Sequence, residues 1–149
     1  MLTEAASLFG LAFVAAIAGI LPLWATCIYY TARLGWSPAL VGTVAATGQC
    51  AGYVVLYTAG TSLMRVWPRL ARKVEAARET TLARMNSGFL PTTLCAAVLG
   101  VPPMLAIAAI APAFEVGLIP LVGVAFPGRF IRFAVAAGAG GTLTAWLFG

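Results

Sequence analysis

The sequence predicts an all-α integral membrane protein: an inverted repeat of two re-entrant helical hairpins, each followed by a transmembrane helix, with a basic amphipathic helix joining the halves. Three observations carry this. Of 149 residues, 62% are hydrophobic and only 9% charged, with a mean hydropathy of +0.99, whereas soluble domains are about a quarter charged. Six of the nine Lys and Arg residues fall between Arg65 and Arg84, so the flanks are almost free of charge. Each flank is an apolar stretch interrupted at a proline and followed by an unbroken apolar run. With about 20 apolar residues per span, the chain has room for one membrane domain. Repeat one covers about 7–62, the connector about 63–87 and repeat two about 88–149.

The opening stretch, MLTEAASLFGLAFVAAIAGILPLWA, has no basic n-region, since Glu4 is its one charge, and apolar sequence continues beyond any cleavage point. It therefore reads as an embedded segment rather than a leader. The apolar run from Ser7 to Arg33 is interrupted at Leu21-Pro22. Gly35-Trp36-Ser37-Pro38 then predicts a turn in which Ser37 caps and Pro38 opens a helix that stays apolar to about Ser62.

In the connector, Pro68 suits a first helical turn, and Val66, Leu70, Val74, Ala77 or Thr81, and Met85 recur every three to four residues. One apolar face opposite basic ones describes a helix lying on a membrane surface, with Arg65, Arg69, Arg72 and Lys73 towards anionic headgroups. A plain connecting helix whose charges keep it out of the bilayer fits the same pattern. Glu75 and Glu79 sit beside Arg72, Lys73 and Arg78 and read as salt-bridged surface charge, not a carboxylate pair for catalysis. The positive-inside rule puts this segment in the cytoplasm.

In the second half, the run from Gly88 to Ala113 is broken by Gly100-Val101-Pro102-Pro103. Adjacent prolines lack N–H donors and clash with the preceding turn, so a helix ends there. The flanking pieces, Phe89–Leu99 and Met104–Pro112, each reach about half of a ~30 Å hydrocarbon core. They read as the arms of a re-entrant hairpin with Gly100, Pro102 and Pro103 at its tip, and Pro22 marks the matching tip in the first half. Proline-kinked full spans in an ordinary bundle are the other reading. A last helix is expected to begin near Pro127-Gly128. The halves share a register, because Pro22 to Gly48 and Pro102 to Gly128 are both 26 residues (48 − 22 and 128 − 102). Paired Pro-interrupted segments in corresponding positions point to a site at mid-membrane.

Arg129 and Arg132, in FPGRFIRF, then fall at the start of the last helix. There they either snorkel to the cytoplasmic edge or hold an anion, helped by free N–H groups and the dipole. Gln49, at the matching place in the first half, adds a hydrogen bond to a headgroup or bonds a neighbouring helix. Glu115 is the only acid in the second hydrophobic half; it is placed at the interface, with a gating role if it pairs with an arginine. Cys27, Cys50 and Cys95 show no CxxC spacing and read as small core residues. With no histidine and four acids, there is no constellation for a catalytic site, a metal or a cofactor, and the chain is not expected to be an enzyme.

The stretches AGILPLWATCIYYTARLGWSPALVGTVAATGQCAGYVVLYTAG (Ala18 to Gly60) and GVPPMLAIAAIAPAFEVGLIPLVGVAFPGRFIRFAVAAGAG (Gly100 to Gly140) resemble the DedA superfamily. This group is also described as the VTT domain or SNARE-associated Golgi protein family, and the likeness is to its short YqaA-like branch. The resemblance implies the inverted repeat of re-entrant hairpins and a role in moving lipids or polyprenyl phosphates between leaflets. Carried over by position, Pro22, Gly48, Gln49, Pro102, Gly128, Arg129 and Arg132 occupy motif positions. Family members commonly carry an acid after the first proline, where this chain has Trp24, Ala25 and Thr26, which implies transport without the usual proton coupling. The expected location is a bacterial inner membrane, with lipids or lipid phosphates as partners, besides a second copy or another membrane protein; nucleic acid is not expected. Two functions stay open: a translocator with its site at Gln49, Arg129 and Arg132, and an accessory subunit on a scaffold that has lost transport.

Overall fold

A computed structural model describes residues 1–19, 22–66, 89–99 and 104–148, without the side chains of 63–66, 89–90, 141 and 143–148. Among the described residues the chain is helical throughout, with no strand. The helices are α1 (Leu2–Ala18), α2 (Leu23–Leu34), α3 (Pro38–Val66), α4 (Phe89–Leu99), α5 (Met104–Ile110) continued by a 3-10 turn (Ala111–Phe114), and α6 (Leu118–Phe148). Two of them contain apolar spans long enough to cross a membrane, Pro38–Ser62 in α3 and Leu118–Gly140 in α6. By contrast α2, with 12 residues, and α4, with 11, are each under about 20 Å long.

The first break falls where the prolines and glycines place it. Gly19 adopts the left-handed conformation (φ 68) and its N–H bonds the Ala15 carbonyl, closing α1, and Pro22 stands immediately before α2. The chain then doubles back: the Tyr30 hydroxyl, late in α2, donates to the Glu4 carbonyl in the first turn of α1 at 3.1 Å. Gly35, again left-handed (φ 67), ends α2. Trp36 is buried with its ring edge-on to Tyr30 at 5.3 Å, and the Ser37 Oγ accepts the Leu40 N–H at 3.3 Å, the expected cap of α3. Within α3, the hydroxyls of Thr43, Thr47, Thr58, Thr61 and Ser62 donate to carbonyls one turn back. This satisfies them without water in an apolar setting.

The last helix differs from expectation. It begins at Leu118, not near Pro127-Gly128, and Pro127 lies inside it. Pro120 sits in the first turn, where no intrahelical donor is needed. At Pro127 the helix continues at the loss of one bond, to the carbonyl of Gly123, and both residues are exposed. Arg129 and Arg132 consequently lie near the middle of the apolar span Leu118–Gly140 and not at a helix N-terminus. The cysteines divide: Cys27 and Cys50 are buried, whereas Cys95 is exposed on α4, contrary to its reading as a core residue.

The packing is reciprocal. α3 and α6 lie against each other; α1 packs on α3 and α4 on α6, while α2 crosses to α6 and α5 to α3. Close approach depends on small residues. A Cβ on Gly48 would stand 2.5 Å from the Phe9 carbonyl oxygen and 2.9 Å from the Ala12 Cβ, so α1 touches the α3 backbone itself. Gly60 of α3 meets the Ala109 backbone of α5 in the same way, and Gly140 of α6 lies against the Ile28 side chain of α2. These glycines are 80 residues apart (140 − 60), as are the starts of α3 and α6 at 38 and 118. The same offset relates the left-handed residues Gly35 and Glu115 and the fully buried pairs Val41 and Leu121, and Ala45 and Ala125.

Candidate functional site

Near the midpoints of α3 and α6, beside the breaks between the short helices, lies a cavity of about 390 Å³. α3 contributes Gln49 and Tyr53, α6 contributes Arg129, Arg132 and Phe133, and the wall is completed by Gly19, Leu23 and Trp24 from one break and Met104 and Leu105 from the other. The residues on α3 and on α6 each lie three to four apart, so a single helix face presents them.

Its polar groups are almost all donors. Arg129 is 8% exposed and Gln49 6%. The Arg129 guanidinium stands over the Tyr53 ring, 5.7 Å from its centroid, and its Nε is buried without a hydrogen-bond partner. The Tyr53 hydroxyl donates to the Gln49 Oε1 at 3.1 Å. Arg132 makes a long contact, 3.4 Å, from one terminal nitrogen to the Val98 carbonyl in the last turn of α4. No Asp or Glu lines the cavity among the described residues. Two guanidinium groups, Arg129 over an aromatic ring and Arg132 against a carbonyl, leave positive charge that is only partly offset. That chemistry suits an anion with several acceptor oxygens, such as a phosphate.

Gln49, Arg129 and Arg132, expected from sequence, are thus brought together. Pro22 precedes α2 at the first break, next to the cavity residues Leu23 and Trp24. Glu115 is an exposed left-handed residue following the 3-10 turn and is not part of the cavity wall. Gly100, Pro102 and Pro103 lie outside the described residues, as do Arg69, Arg72 and Lys73; Arg65 belongs to α3, with its side chain outside them. Tyr53 was not among the expected site residues. Its signal was its place one turn after Gln49, on the same face of α3. Among the described residues no cluster of His, Cys, Asp or Glu could hold a metal ion. No family model, no characterised protein and no solved structure matches the chain.

Proposed function

We propose that the chain is an integral membrane protein that passes phosphate-bearing headgroups of lipids or polyprenyl phosphates between leaflets, as its resemblance to the DedA superfamily implies. The observation that carries this reading is the convergence of Arg129, Arg132 and Gln49 on one cavity halfway along the two long apolar helices. Arginine at that depth is costly, about 2.5 to 3.5 kcal/mol on insertion scales, and is kept where it serves an ion or substrate path. The short arms α2, α4 and α5, each too short to cross alone, and the reciprocal packing at a fixed 80-residue offset (118 − 38) support two re-entrant hairpins in an inverted repeat. In such folds the substrate sits where the repeats meet. The headgroup would pass the arginines while its tails stay in lipid. The basic segment around Arg69, Arg72 and Lys73 would face the cytoplasm, in a bacterial inner membrane. Among the described residues no acid lines the cavity wall, which favours passive exchange over coupling to protons through a carboxylate.

The test is leaflet exchange of a fluorescent lipid phosphate in proteoliposomes without a pH gradient. The wild type is expected to exchange it, and the Arg129→Ala, Arg132→Ala double variant to do so about tenfold or more slowly, the worth of a lost charge-assisted hydrogen bond. Absence of exchange by folded wild-type protein would reject translocation and leave an accessory subunit.

A further inference from the structure

Tyr53 is 1% exposed, and its two faces of chemistry are spent on different neighbours. Its ring lies under the Arg129 guanidinium, and its hydroxyl is bound to the Gln49 amide oxygen. An amide has one end that accepts and one that donates. With the oxygen held by Tyr53, the amide nitrogen is the end left for the cavity. Among the described residues, Gln49 Oε1 and the Tyr53 oxygen are the only strong side-chain acceptors on the wall, and they are joined to each other. Facing the cavity besides these are donors: the amide NH₂, the Arg132 guanidinium, one nitrogen of which reaches the Val98 carbonyl, and the Arg129 guanidinium with its unpartnered Nε.

Building on the reading of this cavity as an anion site, we propose that Tyr53 is its specificity-determining residue. By engaging the Gln49 amide oxygen it sets the amide NH₂ towards the cavity beside the two arginines, so that the cavity favours phosphate groups without an attached ammonium over those, such as phosphoethanolamine, that carry one. An ammonium brought into the cavity would meet two guanidinium groups, with the Gln49 amide oxygen already engaged by Tyr53. Removing the Tyr53 hydroxyl frees the Gln49 amide oxygen to turn inward and accept it.

The experiment is calorimetric titration of the full chain in detergent micelles with ethyl phosphate and with phosphoethanolamine at pH 8, two probes that share the dianionic phosphate and differ in the ammonium. The wild type is expected to prefer ethyl phosphate by about tenfold or more, the scale of a hydrogen bond to a charged group. Tyr53→Phe, which keeps the ring beneath Arg129, is expected to abolish most of that preference. In a Gln49→Leu background the Tyr53→Phe change should have no further effect. Equal binding of the two probes by the wild type, no binding of either, or a preference that survives in Tyr53→Phe would each overturn the assignment. A parallel arm measures exchange of phosphatidic acid and phosphatidylethanolamine in vesicles. Selective binding of the soluble probes without lipid exchange would uphold the role of Tyr53 and reject translocation, identifying a site for free phosphate.

Discussion

Replacing Arg129 by methionine should make the ligand-free protein more stable, and the phosphate-bound protein no more stable than it was without phosphate. The guanidinium is 8% exposed, its Nε has no partner, and Arg132 follows it one turn later. Like charges one turn apart repel by about 0.2–0.5 kcal/mol at a helix surface and by more where the dielectric is low. Desolvation adds several kcal/mol more. The Tyr53 ring, 5.7 Å away, returns about 2 kcal/mol. Methionine keeps much of the volume and removes all three contributions, so a gain of about 1–4 kcal/mol is expected, the range seen when buried ionic groups give way to packed apolar ones. Phosphate at 100 times its dissociation constant should stabilise the wild type by about 2.7 kcal/mol and leave the variant unchanged. Reversible unfolding in mixed micelles, titrated with and without phosphate, measures both quantities. If Arg129→Met is less stable than the wild type in the absence of phosphate, the arginine is a satisfied structural group and the account of an uncompensated cation is wrong.

Two further outcomes follow from the packing. Gly48→Ala and Gly10→Ala are the same chemical change on two helices, with opposite expected signs: at Gly48 the new Cβ would meet the Phe9 carbonyl oxygen at 2.5 Å and force α1 from α3, whereas at Gly10 it meets nothing within 4 Å. Thermal unfolding should show a loss of about 1–3 kcal/mol for the first and a gain of about 0.5–1 kcal/mol for the second; equal shifts would mean that the helices adjust freely. Tyr30→Phe removes the donor that ties α2 to the Glu4 carbonyl while keeping the ring against Trp36, and should cost about 1 kcal/mol in the same assay.

Much of the fold was legible because its decisive signals are local. A left-handed glycine, a capping serine or a pair of prolines acts through its own backbone and its nearest turn, so the break before Pro22, the start of α3 at Pro38 and the limits of α4 and the start of α5 could be read directly. The start of α6 could not. Pro120 and Pro127 each have the chemistry of a helix start, and only the helices packed along α6 decide that it runs through the second. Side-chain orientation failed for a related reason. Cys95 and Cys50 stand in equally apolar sequence, but which faces the interior depends on where the neighbouring helices lie. At the site, Arg129, Arg132 and Gln49 stood out as polar residues in apolar runs. Tyr53, an ordinary aromatic in such a run, becomes informative only when Arg129 from the other half is seen above its ring.

The two halves share an 80-residue register but not a chemistry. At the 80-residue offset (129 − 49), Gln49 corresponds to Arg129 and Tyr53 to Phe133, and all four are buried. A third arginine in place of Gln49 would bring three guanidinium groups to one cavity, and each added pair would add repulsion in a low-dielectric setting. An amide there donates without adding charge, and a tyrosine one turn on both engages the amide oxygen and gives the opposing guanidinium an electron-rich face. One half thus carries the charge and the other makes it tolerable, with no carboxylate among the described lining residues to neutralise it. A carboxylate in the wall would stabilise the empty protein further, but it would also compete with any incoming phosphate for the same donors. The instability held at Arg129 and the capacity to take up an anion are, on this reading, one property, which is why a single substitution is expected to improve stability and remove binding together.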